Sequence, residues 1–201
     1  MMKTKINPWA TTNAAVNRLW NNGQPNRAAL AGLRTAKTIS DHQAVVAWPI
    51  LLDVIPENSL STTGKPTKVE KAVFTATKAY ALYQQGTNDR CLNDSKGQSI
   101  MQALARLRTS NPDQADALDR RIETLLSTRS VESLTHQLLS LILILKSRRT
   151  GQPLSFGRLA QDLFSFQIHT GAYNGAHRTI LQWGREYYAA PVVKNTPDAQ
   201  N

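Results

Sequence analysis

A chain of 201 residues, 41% of them hydrophobic, can bury a substantial core, which excludes wholesale disorder. Lys and Arg number 24 against 14 Asp and Glu, a formal net charge of +10 that repels itself unless an anionic partner neutralises it. Phosphate polymers are the usual partner for such an excess, and the single cysteine, Cys91, excludes an intrachain disulfide and a Cys-based zinc site.

The opening MMKTKINPWATTN lacks the apolar stretch of a signal peptide. The strongest apolar run, LLSLILIL at 138–145, falls far short of the ~20 residues that a membrane span needs, and reads as a buried helix. With one cysteine, this predicts a cytoplasmic protein with no membrane partner.

Periodicity is helical almost throughout. A first helix is predicted over 12–22, stopping at Gly23, and a second over 26–37 with Leu30 and Leu33 on one side. A third segment, 41–55, carries Val45, Val46, Trp48 and Leu52, and Pro49 must kink or end it. After a loop at 56–66, a long helix over 67–85 places Val69, Val73, Ala76, Tyr80 and Tyr83 along one face, with Lys68, Lys71 and Lys78 opposite. Residues 86–97 form a polar loop closed off by Gly86.

Four more helices follow, over 99–108, 112–127, 131–149 and 155–166, and a last one over 176–189 comes after the break HTGAYNG. Asn111 is placed to cap the 112–127 helix. Ala176, Ile180, Trp183 and Tyr187 face inward on the last helix, while Arg178 and Arg185 share its outward face. No strand, repeat or low-complexity segment is read. The expected fold is all-α, a compact multi-helix bundle in a single domain over 1–190 with a flexible tail at 191–201. Sub-bundles over 1–86 and 97–190, joined by loop 86–97, are the alternative division.

The sequence offers little chemistry. None of His42, His136, His169 and His177 pairs at metal-ligand spacing. His136 reads as a hydrogen-bonded core residue, and His177, beside Arg178, as either a phosphate contact or plain exposure. There is no phosphate-binding glycine loop, and Cys91 has no histidine nearby in sequence. Asp94-Ser95-Lys96 has the D-x-K form of some nuclease motifs without the strands that such sites need. Asp116, Asp119 and Glu123 read as a solvated helix face. No enzyme, metal or cofactor is expected.

Lys146, Arg148 and Arg149 end the 131–149 helix with charge that suits its C-terminus. Other basic residues form a pattern: Arg27, Arg34 and Lys37; Lys68, Lys71 and Lys78; Arg120 and Arg121; Arg178 and Arg185. Placed opposite apolar stripes, they predict a surface that follows a phosphate backbone without reading bases. Trp20, Trp48, Trp183, Tyr80 and Tyr187 sit at core spacings, so no stacking platform for single strands is read. A free-standing helical DNA-binding protein or regulator is the alternative, with 155–166 the nearest recognition helix and Gln161 and Asp162 its exposed positions.

Taken in order, RLW (18–20), NRAALAGLRTA (26–36), GQSIMQALARL (97–107), LDRRIETLLS (118–127), PLSFGRLAQDLFSF (153–166) and ILQWGREYY (180–188) resemble the small subunit (CasB family) of the type I-E CRISPR surveillance complex, Cascade. The last piece looks like the W-G-[KR]-[DE]-[FY] ending common in that family. The resemblance implies an all-helical, non-enzymatic subunit present in two copies beside the large and backbone subunits. It implies a basic groove along the guide RNA and target DNA, which holds the displaced strand and stabilises the R-loop. It carries the family's basic residues to Arg34, Lys71, Arg120, Arg121 and Arg178, with Arg129 standing in near Ser127. Where the family often has arginines early in the Leu-rich helix, this chain has Gln137, Leu138 and Leu139, and Lys146, Arg148 and Arg149 supply charge at its other end. The stretch 169–176 is longer than is usual in the family.

Overall fold

A computed structural model describes residues 6–21, 23–87, 97–148, 153–170 and 173–189. The chain opens with α1 (Pro8–Arg18), a two-strand ladder of β1 (Trp20–Asn21) and β2 (Gln24–Pro25), and α2 (Arg27–Thr35). A 3-10 helix (His42–Ala47) leads into α3 (Trp48–Val54), and a 3-10 turn (Glu57–Ser59) precedes α4 (Lys68–Gln84). Then come α5 (Ile100–Ser110), α6 (Pro112–Ser127), α7 (Val131–Ser147), α8 (Phe156–Phe166), β3 (His169–Thr170), β4 (Tyr173–Asn174) and α9 (Gly175–Tyr188).

Local chemistry sets these limits. The first helix starts four residues earlier than its periodicity predicts, because Asn7 accepts from the Ala10 N–H and Pro8 fits the first turn, where its missing N–H costs nothing. It stops at Arg18 because Trp20 and Asn21 pair with Gln24 and Pro25 around Gly23, whose φ of 79° belongs to the left-handed region. Thr67 with Glu70, and Ser99 with Gln102, close capping boxes on α4 and α5. Asn111 stands at the N-cap position of α6 without capping it, since its amide donates back to the Leu107 carbonyl. Pro49 lies in the first turn of α3 and kinks nothing. The second ladder, His169 to Asn174 and Thr170 to Tyr173, falls in the segment expected as a simple break.

α4 is the axis of the packing, in contact with α1, α2, α7 and α8, and 14 of its 17 residues are buried. The sequence predicts one apolar face with lysines opposite. Ala72, Ala76, Ala79 and Ala81 instead let neighbours approach on every side. Lys78 is therefore buried, its ammonium donating to the Ala36 carbonyl at the end of α2. Tyr80 meets the edge of Phe156 from α8 at 5.4 Å, donates to Gln84 at 3.0 Å and accepts from the indole of half-buried Trp20. α1 lies close on α8 because Gly157 has no side chain there. A Cβ would stand 2.7 Å from Asn13 Oδ1 and 2.8 Å from the Trp9 carbonyl oxygen.

The other half is fastened by polar side chains. Asp162, expected as exposed, is largely enclosed and accepts from the Trp183 indole N–H at 2.8 Å, which joins α8 to α9. Burial raises its pKa to about 6, with the Trp183 hydrogen bond and the nearby Arg158 charge opposing. Arg158 pairs with Glu186, which also accepts from Ser99 at the start of α5.

Two outcomes follow. Gly157→Ala should lower the unfolding free energy in urea by about 1–3 kcal/mol, since neither α1 nor the Trp9 backbone can yield easily. The folded state also binds the Asp162 proton more tightly than the unfolded chain, where the pKa is near 3.8. Its contribution is complete below about pH 4 and disappears as pH rises through about 6, a span worth about 3 kcal/mol. Wild type should gain stability relative to Asp162→Asn between pH 7 and 5, and a constant difference would show that Asp162 does not titrate there.

Candidate nucleic-acid interface

α4 and α7 lie side by side and run in the same direction. Lys71 pairs with Glu132 at 3.9 Å near their starts, and Lys146 donates to Gln85 at 2.8 Å near their ends. Each pair is 61 residues apart in sequence, so the register holds over about 21 Å of helix.

Between the first halves of these helices and the 37–40 stretch opens a groove of about 520 Å³. Ile39, Phe74, Val131 and Leu139 give it apolar walls, and Lys37, Lys71, Lys78, Glu132 and His136 supply its charged and titratable groups. Asp41 knits the 37–40 lip, accepting from the Lys37 N–H at 2.7 Å and the Thr38 hydroxyl at 3.0 Å. The Lys37 N–H holds the Asp41 carboxyl below its usual range, against a smaller opposing effect of burial. Burial pushes the Lys78 ammonium down, and the charge of Asp41 pulls the other way.

Two smaller hollows continue along α7. One of about 200 Å³, between α6 and α7, is lined by Arg121, Thr124, His136 and Gln137. Another of about 200 Å³, among α5, α6 and the end of α7, is lined by Arg108, Arg121, Gln114 and Arg148. His136 borders the groove and the first hollow, and Arg121 borders both hollows. Lys37, Lys71, His136, Arg121 and Arg148 thus line a groove and two hollows that adjoin through His136 and Arg121.

Of the residues predicted to bind nucleic acid, the groove gathers Lys37 and Lys71, and the far hollow gathers Arg121 and Arg148. Lys146 is half-buried beside Gln85, and Arg34 is half-buried in the last turn of α2. Arg27, Lys68, Arg120, Arg129, Arg178 and Arg185 are exposed, outside the three hollows. Arg149 lies outside the described residues, as do Cys91, the D-x-K tripeptide and the 191–201 tail.

Three readings change. His136 is exposed, because it faces the junction of two hollows rather than the core. Lys78 belongs to the buried side of α4, so it shares no outward face with Lys68 and Lys71. Asp119 is no solvated carboxylate. It takes both prongs of Arg108 at 2.7 and 3.1 Å and the Tyr187 hydroxyl at 2.8 Å, while the guanidinium lies 5.5 and 5.4 Å from the rings of Tyr187 and Tyr188. The hydrogen bond to Asp119 holds the Arg108 pKa above its usual value, so Arg108 stays a cation bound into the fold. Among the described residues, no cluster of three or more His, Cys, Asp or Glu could hold a metal, and no helix is long and apolar enough to cross a membrane.

Residues 27–188 match the family described as CRISPR-associated protein Cse2. The chain belongs to the Cse2 family. Its fold is that of CasB from Thermobifida fusca, with a TM-score of 0.66 at 21% identity over 91% of this chain and 98% of the other. A chain of a CRISPR RNA-guided surveillance complex matches with a TM-score of 0.65 at 17% identity, over 90% of this chain and 96% of that one. The all-α architecture expected from the sequence is the one found, apart from the two short ladders, and it matches the fold of CasB. No curated protein matches the chain.

The surroundings of the arginines separate two roles. Arg108→Ala should cost about 2–4 kcal/mol of stability by leaving Asp119 enclosed without its cation. Arg120→Ala, at an exposed position, should stay within about 0.5 kcal/mol of wild type. Thermal and urea unfolding of the two variants checks the contrast.

Proposed function

We propose that this Cse2-family chain is a non-catalytic, cytoplasmic subunit of a type I-E CRISPR surveillance complex, holding guide RNA, target DNA and the displaced strand through their backbones. The basic path of Lys37, Lys71, His136, Arg121 and Arg148 through the adjoining groove and hollows carries this reading. Cations spread over several elements suit a phosphate chain, whose contacts set position and register without reading base edges. Exposed Arg27, Lys68, Arg120, Arg129, Arg178 and Arg185, with half-buried Arg34 and Lys146, extend the positive field around the path, and Arg149 is a further contact on the sequence alone. Sequence recognition then resides in guide pairing. R-loop formation is a nearly balanced exchange, so a few contacts of about 1 kcal/mol each decide whether it persists. The large subunit, the backbone subunits and a second copy of this chain are the protein partners.

The free-standing regulator has less support. α8 packs against α1, α4 and α9, and Asp162 on its proposed reading face is committed to Trp183. It has no free face to enter a major groove.

Combined Lys37→Glu, Arg121→Glu and Arg148→Glu should reduce the salt dependence of single-strand binding, each lost phosphate contact lowering the log–log slope by about 0.7–0.9. Affinity at low salt should fall at least about tenfold with the helical spectrum unchanged. Wild-type binding by this variant would place the interface elsewhere. Gentle purification of the tagged chain from its own cells should recover short repeat-bearing RNAs and larger subunits, whereas a lone protein with random RNA would return the regulator to first place.

A further inference from the structure

The groove between α4 and α7 is more than a stretch of the basic path, because its walls are apolar and its volume suits a small molecule. At about 520 Å³ it falls within the usual range for ligand pockets, about 300–1,000 Å³. Phosphate contacts need no such cavity, since surface lysines make them in open solvent. Phe74 and Leu139 line the groove from α4 and α7, and the buried ammonium of Lys78 borders it. That ammonium spends one N–H on the Ala36 carbonyl and carries three, so donors remain for an acceptor inside the groove. Lys37 from the lip and Lys71 from α4 add two further cations. Against them stand Glu132, 3.9 Å from Lys71, and Asp41, which acts electrostatically on Lys78. The occupant should therefore have flat apolar faces, hydrogen-bond acceptors on its edge and an attached anion.

We infer that this groove receives one unstacked base of a single strand lying along the basic path, its edge accepting from Lys78 and its flanking phosphates lying beside Lys37 and Lys71. The inference rests on the nucleic-acid reading above and deepens it. The apolar walls make the choice of base permissive, because every base has faces to bury while few donors reach its edge. A displaced strand suits the site, as its bases have already lost their pairing partners and unstack at the least cost. His136 borders the groove and the neighbouring hollow, so the strand passes from the held base directly toward Arg121 and Arg148.

The test uses the full chain and single-stranded DNA carrying one 2-aminopurine among adenines, where stacking quenches emission. Saturating wild type should raise the emission about threefold or more as the probe leaves the stack. Thr135→Phe, which fills the groove from α7, should abolish most of that rise while anisotropy shows affinity reduced less than about fivefold. Saturable binding with unchanged emission, or an equal rise with Thr135→Phe, overturns the inference and leaves the backbone reading intact. Absence of any strand binding at low salt overturns both. Should Thr135→Phe fail to fold, wild type alone decides through the apolar anion ANS. Displacement of bound ANS by unlabelled strand supports the base, and ANS retained at saturating strand assigns the groove to another occupant, such as a partner protein's side chains.

Discussion

The constraint on which the structure depends is the burial of α4 on nearly every side. A helix with one apolar stripe can rest on the outside of a bundle, but one with neighbours all round must be built from small residues wherever they press closest. The alanines of α4 meet that need, and its larger side chains, Phe74, Tyr80 and Tyr83, fill the gaps between the helices around it. Because α1, α2, α7 and α8 are each placed against this common axis, their separations are not independent. A shift of α4 would disturb the aromatic contacts to α8, the Lys78 tie to α2 and the alignment with α7 together.

That arrangement explains how a strongly basic chain holds together. The cations divide into those spent on the fold and those left at its surface. Arg108 and Arg158 are tied to Asp119 and Glu186, where they fasten α5 to α6 and α8 to α9. Lys37, Arg121 and Arg148 lie at the margins of hollows. Surface cations spread along α2, α6 and α7 repel one another less than a compact cluster would, and solvent ions screen them at distances near 10 Å. A polyanion laid across them gains from their combined field and competes with the exposed partners Glu132 of Lys71 and Gln114 of Arg148.

Much of the fold was legible because its signals are local. The helix predicted over 112–127 is found at Pro112–Ser127, where a proline starts it and Leu118, Ile122 and Leu125 turn inward as their spacing requires. The two short ladders were not legible, since strands of two residues are too short to alternate. The lysines of α4 misled for a different reason: alanine is neutral in a periodicity argument, so a helix buried all round looks amphipathic. Asp119 looked solvated because its partners, Arg108 and Tyr187, lie on other helices, the second 68 residues away. The family resemblance came from the order of helix fragments. Which cations share a hollow depends on α7 returning parallel to α4 after α5 and α6, and no local pattern in the sequence encodes that.

The parallel setting of α4 and α7 has a metrical consequence. Two rigid helices tied near both ends cannot slide or splay without breaking the pairs at Lys71 and Lys146, so the distance from the groove to Arg148 is fixed as if on a ruler. The 17 residues of α7 span about 25 Å, the rise of about seven nucleotides of a helical strand. Under the proposed function, the footprint of one copy on a strand would be set by the number of turns in a single helix. Measured this way, the chain's contribution to an assembly is a unit of length as much as a unit of charge.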